Sequence, residues 1–183
     1  MNYIFLANGF EEIEALATVD ILRRAGMRVT TVSINQGREV TGAHGVEVLA
    51  DLTIADLKEP LSAQWLICPG GMPGATNLHE CAPLSRMLKD HYAAGGLTAA
   101  ICASPAVVLA PLGILTGRKA TCYPGMEPLV TTETEMTGEP VVVDGNVTTG
   151  NGPANTFAFA LSLVSQSLGA EEAGKVAAGM LIK

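Results

Sequence analysis

Three short apolar runs constrain the fold more than any other feature: "NYIFLA" (2–7), "AQWLIC" (63–68) and "LTAAIC" (97–102). None shows the apolar–polar alternation of a strand with one wet face. Such runs suit strands covered on both sides, as in a parallel sheet sandwiched between helices. Segments of helical period separate them. A helix is expected over Phe10–Ala25, with Ile13, Leu16, Ala17 and Ile21 as its apolar positions, Arg23 and Arg24 in its last turn and Gly26 just beyond. "MRVTTVSI" reads as the next strand, and 37–51 as a hairpin around Gly42 and Gly45. Further helices are expected over Pro83–Ala94, over 104–113, and over Pro153–Leu168 and Glu171–Ile182, the last two parted by Gly169. "KATCY" reads as a strand, and "PVVVDGNVTTG" as a hairpin turning at Asp144-Gly145. Alternating strands and helices give one α/β domain, 1–183, with a mostly parallel sheet and helices on both faces.

Composition removes several classes of function. The net charge is −7 and no basic stripe is visible, so nucleic acid is not an expected partner. No apolar run approaches the ~20 residues of a membrane span. The N-terminus lacks a basic segment and a cleavage site, and the protein is read as soluble and cytoplasmic. Cysteines at 68, 81, 102 and 122 form no Cys-x-x-Cys pair, and the histidines are scattered, so neither metal nor cofactor is expected. Cys68, Cys81 and Cys122 are read as structural thiols.

In an open α/β sheet, ligands bind where strands end at their carboxyl edge. Ala7-Asn8-Gly9, Pro69-Gly70-Gly71 and Cys102 all lie at such ends. Around Cys102 the order is Ala100-Ile101-Cys102-Ala103-Ser104, small at both flanks as a strained strand-to-helix elbow requires. Pro105 suits the first turn of the helix that follows. Two readings stand side by side: Cys102 as a space-filling core thiol, or as a nucleophile whose pKa a helix N-terminus lowers, with the Ala103 N–H free for an oxyanion. Gly70 and Gly71 either serve a turn or present N–H groups to a ligand. Glu14 lines up with Ala17 and Ile21, which places it at the edge of the buried stripe; otherwise it is one more solvated acid of the first turn. His44, His79 and His91 do not follow a strand at this edge, so no base for a Cys-His dyad is visible.

"GFEEIEALATVDILRRAGMRVT", "ICPGGMPGATNL", "AAICASPAVVLA" and "GNGPANTFAFAL" together resemble the ThiJ/PfpI superfamily, most of all its parkinsonism-associated deglycase branch, from the first strand to about Leu168. The resemblance implies a flavodoxin-like three-layer sandwich and a homodimer. It implies that Cys102 is reactive and prone to oxidation to sulfinic acid, and that a protonated Glu14 hydrogen-bonds it. It places Gly70, Gly71, Ala103 and Gly152-Pro153 beside the site. Two positions depart from the pattern: Tyr123 replaces a histidine found in many members, and His44 replaces an arginine found in some. Tyrosine is a poor base near neutral pH, its pKa being ~10, which leaves proton transfer to Glu14.

The expected function is hydration of small reactive carbonyls through a Cys102 hemithioacetal, as in glyoxalases and deglycases, with Glu14 moving the proton. A non-enzymatic redox sensor or chaperone-like protein working through Cys102 oxidation is the alternative. A cysteine peptidase or amidotransferase-like hydrolase comes third, since it wants a histidine.

Overall fold

Apolar strands buried on both faces do build the sheet of this computed structural model, which describes residues 1–58 and 62–182. In chain order the elements are β1 (Asn2–Leu6), α1 (Glu12–Arg24), β2 (Val29–Ser33), β3 (Glu39–Thr41), β4 (Glu47–Leu49), β5 (Leu52–Thr53), β6 (Trp65–Cys68), α2 (Gly74–Glu80), α3 (Ala82–Ala93), β7 (Leu97–Ile101), β8 (Lys119–Ala120), β9 (Glu135–Met136), β10 (Val141–Asp144), β11 (Val147–Gly150), α4 (Thr156–Leu168) and α5 (Ala170–Gly179). The main sheet runs β10-β11-β7-β6-β1-β2-β5, parallel except for the β10–β11 hairpin. α1 packs on α4 and α4 on α5; α2 packs on α3 and on a wide turn at Pro105–Leu109. Helices therefore cover both faces of a mostly parallel sheet, in a flavodoxin-like arrangement. Among the described residues no helix is long and apolar enough to cross a membrane.

The site is positioned by register. β1, β6 and β7 are adjacent and parallel, with Asn2 opposite Trp65 and Cys68 opposite Ala100, so their carboxyl ends reach one edge together. Beneath that edge the core holds Ile4, Phe5, Leu6, Trp65, Leu66, Ile67, Phe159 and Leu163, none more than 1% exposed. Trp65 also donates its indole N–H to Ser167 Oγ at 2.8 Å, tying β6 to α4.

Several local expectations are corrected. On α1 the buried positions are Glu12, Glu14, Ala15, Thr18, Val19, Ile21 and Leu22, whereas Ile13 and Leu16 are 52% and 40% exposed. The inward stripe is rotated by about one residue because Glu11 caps the helix from inside, its side chain accepting the Glu14 N–H at 2.7 Å. α2 was not foreseen; "GATNLHE" is short and mostly polar, with only Gly74, Ala75 and Leu78 buried. The segment after Cys102 is a π-helical turn, with the Ala110 N–H reaching back to Pro105 O, rather than a regular helix. "KATCY" contributes only Lys119–Ala120, paired with β9 outside the main sheet. The last hairpin turns at Gly145-Asn146, one residue later than expected.

That hairpin is fastened by Arg118, whose guanidinium donates to Tyr92 Oη, Asp144 O and Asn146 Oδ1 at 2.8–3.1 Å. The Arg118 side chain is only 19% exposed, so removing it strands three acceptors. Arg118→Ala is expected to lower unfolding free energy by about 2–3 kcal/mol, read from urea denaturation.

Candidate active site at the carboxyl edge of the sheet

Cys102 follows the last residue of β7 with φ of 64°, a left-handed conformation uncommon for a residue with a side chain. The neighbours hold it there: its N–H donates to Gly150 O at 2.9 Å and its carbonyl accepts the Tyr123 N–H at 2.8 Å. Strain of this kind persists only where surrounding bonds over-determine it. The residue is 7% exposed, with its thiol directed into the edge where β1, β6 and β7 end.

Glu14 reaches the same point from α1 and is wholly buried. Its Oε2 accepts the Gly70 N–H at 2.8 Å, while Oε1 has no hydrogen-bond partner. The Cys102 thiol lies close enough for each group's ionisation to shift the other's. Burial raises the Glu14 carboxyl from 4.5 to about 7, and the Glu11 charge adds to this; the thiol and the Gly70 N–H pull the other way. The raised pKa lets the carboxyl take up a proton as pH falls toward and below about 7, which lowers the cost of leaving Oε1 unpaired in the core.

The thiol is not lowered, contrary to the helix-terminus expectation. Burial pushes it up to about 12, with the Glu14 charge adding, against a downward pull from the Gly71 and Ala103 N–H groups. A five-residue π turn is too short to outweigh desolvation. The pair therefore releases one proton near neutrality and holds the second strongly.

The two glycines divide their roles. The Gly70 N–H is committed to Glu14, and its carbonyl accepts the Glu11 N–H at 2.9 Å. A Cβ there would sit 2.6 Å from Cys102 Cβ and 2.8 Å from Glu14 Oε2, so only glycine fits between acid and thiol. Gly71, at φ +87°, turns its N–H toward the sulfur, where the Ala103 N–H joins it. Tyr123 is half-exposed and packs over Gly152; together with Pro124, Asn151, Pro153 and Asn155 it lines an open groove beside Cys102. The structure brings Cys102, Glu14, Gly70, Gly71 and Ala103 together at this edge, and Tyr123, Gly152 and Pro153 line the groove joined to it through the Tyr123–Cys102 backbone bond. Sequence reasoning missed Ser104 Oγ, wholly buried and donating to Pro69 O at 2.6 Å, because serine there reads only as a small flank.

The histidines lie elsewhere. His91 bonds Leu97 O, at the far end of β7 from Cys102. His44 meets Glu12 through both its backbone N–H and Nδ1, each at 2.7 Å, fastening the β3–β4 hairpin to α1. These bonds outweigh burial and hold the Glu12 carboxyl below its usual range. Among the described residues, Glu11, Glu12 and His44 form the one grouping whose ligand atoms could hold a metal ion, within 4.8 Å of one another. His44 occupies both oxygens of Glu12, and Glu11 Oε2 accepts the Glu14 N–H. Cys68 is core, its thiol raised to about 12 by burial.

The raised Glu14 pKa has a thermodynamic signature. The folded state holds this proton more tightly than the unfolded chain, so the stabilisation is complete below about 4.5 and is lost as pH rises to about 7. Stability of the native protein, relative to Glu14→Gln, is expected to fall across that window by up to about 1.4 kcal/mol per pH unit and to level off above it. Parallel curves from urea melts at pH 4–8 would contradict the burial of an ionisable Glu14.

A protein-family model described as the DJ-1/PfpI family matches residues 2–166. The chain is 37% identical over 179 residues to "Protein DJ-1 homolog B" of Arabidopsis thaliana, covering 97% of this chain but only 40% of that longer protein. It is 34% identical over 162 residues to a glutathione-independent glyoxalase of Caenorhabditis elegans, covering 88% of this chain and 85% of the relative. The solved structure of oxidized DJ-1 from Toxoplasma gondii superposes with a TM-score of 0.94 at 39% identity, covering 98% of this chain and 96% of that one.

Proposed function

The chain belongs to the DJ-1/PfpI family, and from that premise we propose that it is a cysteine-dependent enzyme converting small α-oxoaldehydes to 2-hydroxy acids. The observation that carries this reading is the buried pair of Glu14 and Cys102, with the Gly71 and Ala103 N–H groups beside the sulfur. A carboxyl titrating near 7 is matched to taking and returning a proton at neutral pH. The thiol adds to the aldehyde carbon, C1: the C–S bond forms, the S–H proton passes to Glu14, and the two N–H groups hold the new oxyanion until that proton reaches it. Glu14 then removes the C1 hydrogen as a proton and one returns to C2. The C1 hydroxyl proton moves to the C2 oxygen, so C1 becomes a thioester carbonyl and C2 carries a hydroxyl. Water cleaves the thioester, freeing the hydroxy acid and the Cys102 thiol. C1 is oxidised at the expense of C2, so the sequence needs no external oxidant and no cofactor. Tyr123, Gly152 and Pro153 line the groove that would hold the rest of the substrate. The name of the nematode relative supports the same chemistry.

Methylglyoxal loss with purified protein tests this. Cys102→Ser is expected to abolish it, and Glu14→Gln to lower kcat by about a hundredfold or more. Full activity in Cys102→Ser sinks the reading.

The same site supports a second reading, a redox sensor. A carboxyl still protonated near neutrality can donate to a sulfinate oxygen at Cys102. The related Toxoplasma protein was solved in an oxidized form. Under graded peroxide, a two-oxygen adduct appearing on Cys102 before Cys81 or Cys122 would favour sensing; the reverse order removes it.

We also propose that the chain forms a homodimer. Ile13 and Leu16 on α1, and Val46 and Leu49 on the hairpin that His44 fastens to it, expose large apolar groups. Ile13→Glu is expected to shift sedimentation toward the monomer; an unchanged profile places the contact elsewhere.

A further inference from the structure

Ser104 sits two residues past the thiol, on the elbow. Pro69 immediately precedes Gly70, on the neighbouring strand end. The Ser104 side chain crosses between them, its Oγ donating to Pro69 O at 2.6 Å in a wholly buried setting. Three contacts then converge on one short loop. Pro69 O is held by Ser104, the Gly70 N–H by Glu14 Oε2, and Gly70 O by the Glu11 N–H. Gly71 follows directly, and its N–H is one of the two that favour the Cys102 anion. The elbow also carries the other, the Ala103 N–H, so one hydroxyl joins the two halves of the donor pair.

We propose that Ser104 is a positioning residue, whose hydroxyl fixes the Pro69–Gly71 loop against the Cys102 elbow and so sets the placement of the Gly71 N–H and the Glu14 carboxyl beside the sulfur. Without the hydroxyl, Pro69 O loses a buried donor, and no other donor to it is found among the described residues. The loop then has a reason to turn its carbonyl toward water, and the peptide plane that carries this carbonyl also carries the Gly70 N–H. Rotating that plane weakens the contact to Glu14 Oε2 and lets Gly71 drift from the sulfur. The consequence falls on the thiol's environment and not merely on stability. The inference rests on Cys102 being the reacting group of the site, as proposed above, but not on carbonyl turnover.

Iodoacetamide alkylation of Cys102, followed by mass spectrometry across pH 6–10 in the native full-length protein, tests it without a substrate. Ser104→Ala is expected to slow Cys102 alkylation by up to about tenfold at each pH of that range. Ser104→Thr, which restores the hydroxyl, should recover most of the native profile. Val176→Ala, a core truncation in α5 remote from the elbow, serves as a control for lost stability and should keep the native profile while its Tm falls. A native alkylation profile in folded Ser104→Ala overturns the proposal, as does the same slowing in Val176→Ala. If Ser104→Thr does not fold, the comparison of Ser104→Ala with Val176→Ala still decides. If the native protein does not consume methylglyoxal but Ser104→Ala slows alkylation, carbonyl chemistry fails and the positioning role stands.

Discussion

An uncompensated carboxyl in the protein core sets the terms for everything around it. Glu14 is wholly buried; Oε1 has no partner, Oε2 accepts the Gly70 N–H, and the Cys102 thiol and that N–H only partly offset the burial. A group in that position holds its proton well above the ordinary range. Gly70 must lack a side chain to let the acid and Cys102 approach, and α1 must begin where Glu11 can cap it. The left-handed backbone of Cys102 turns the thiol toward the acid.

The sheet makes this arrangement affordable. Parallel pairing of β1, β6 and β7 brings three loop starts to one edge, and the apolar strands beneath exclude water. Each loop is then tied to the next by backbone bonds: Gly74 to Gly9 O, Glu11 to Gly70 O, Cys102 to Gly150 O and Tyr123 to Cys102 O. Strain at one elbow residue is tolerable because four strand ends hold it. A π turn follows the elbow, closed by the Ala110 N–H on Pro105 O.

The layered architecture was legible because continuous apolar runs admit few other uses. The gathering of Cys102, Glu14, Gly70, Gly71 and Ala103 was legible through local patterning at strand ends, reinforced by the family resemblance. What escaped depended on tertiary context. The hydrophobic stripe of α1 was misplaced by about a residue because apolar residues were assumed to face inward, whereas Ile13 and Leu16 are exposed and Glu11, Glu12 and Glu14 are buried. The direction of the thiol shift was misread because a helix terminus is visible in sequence and desolvation is not. The hydroxyl of Ser104 was invisible for a related reason: the Pro69 carbonyl it serves lies 35 residues away.

Tyr123 is half-exposed, and its N–H serves the Cys102 carbonyl, so its established bond to the elbow is through backbone. His44 is engaged by Glu12 and His91 by Leu97 O. Glu14 is the acid beside the sulfur, and the pair exchanges a single proton near neutrality. With the proton on the carboxyl, the sulfur can carry the charge and receive the Gly71 and Ala103 N–H groups. With the proton on sulfur, the carboxylate is the base. The proposed carbonyl addition and the proposed sulfur oxidation would both draw on these two states. They would differ in which state meets the reactant, so the position of that proton would decide between them.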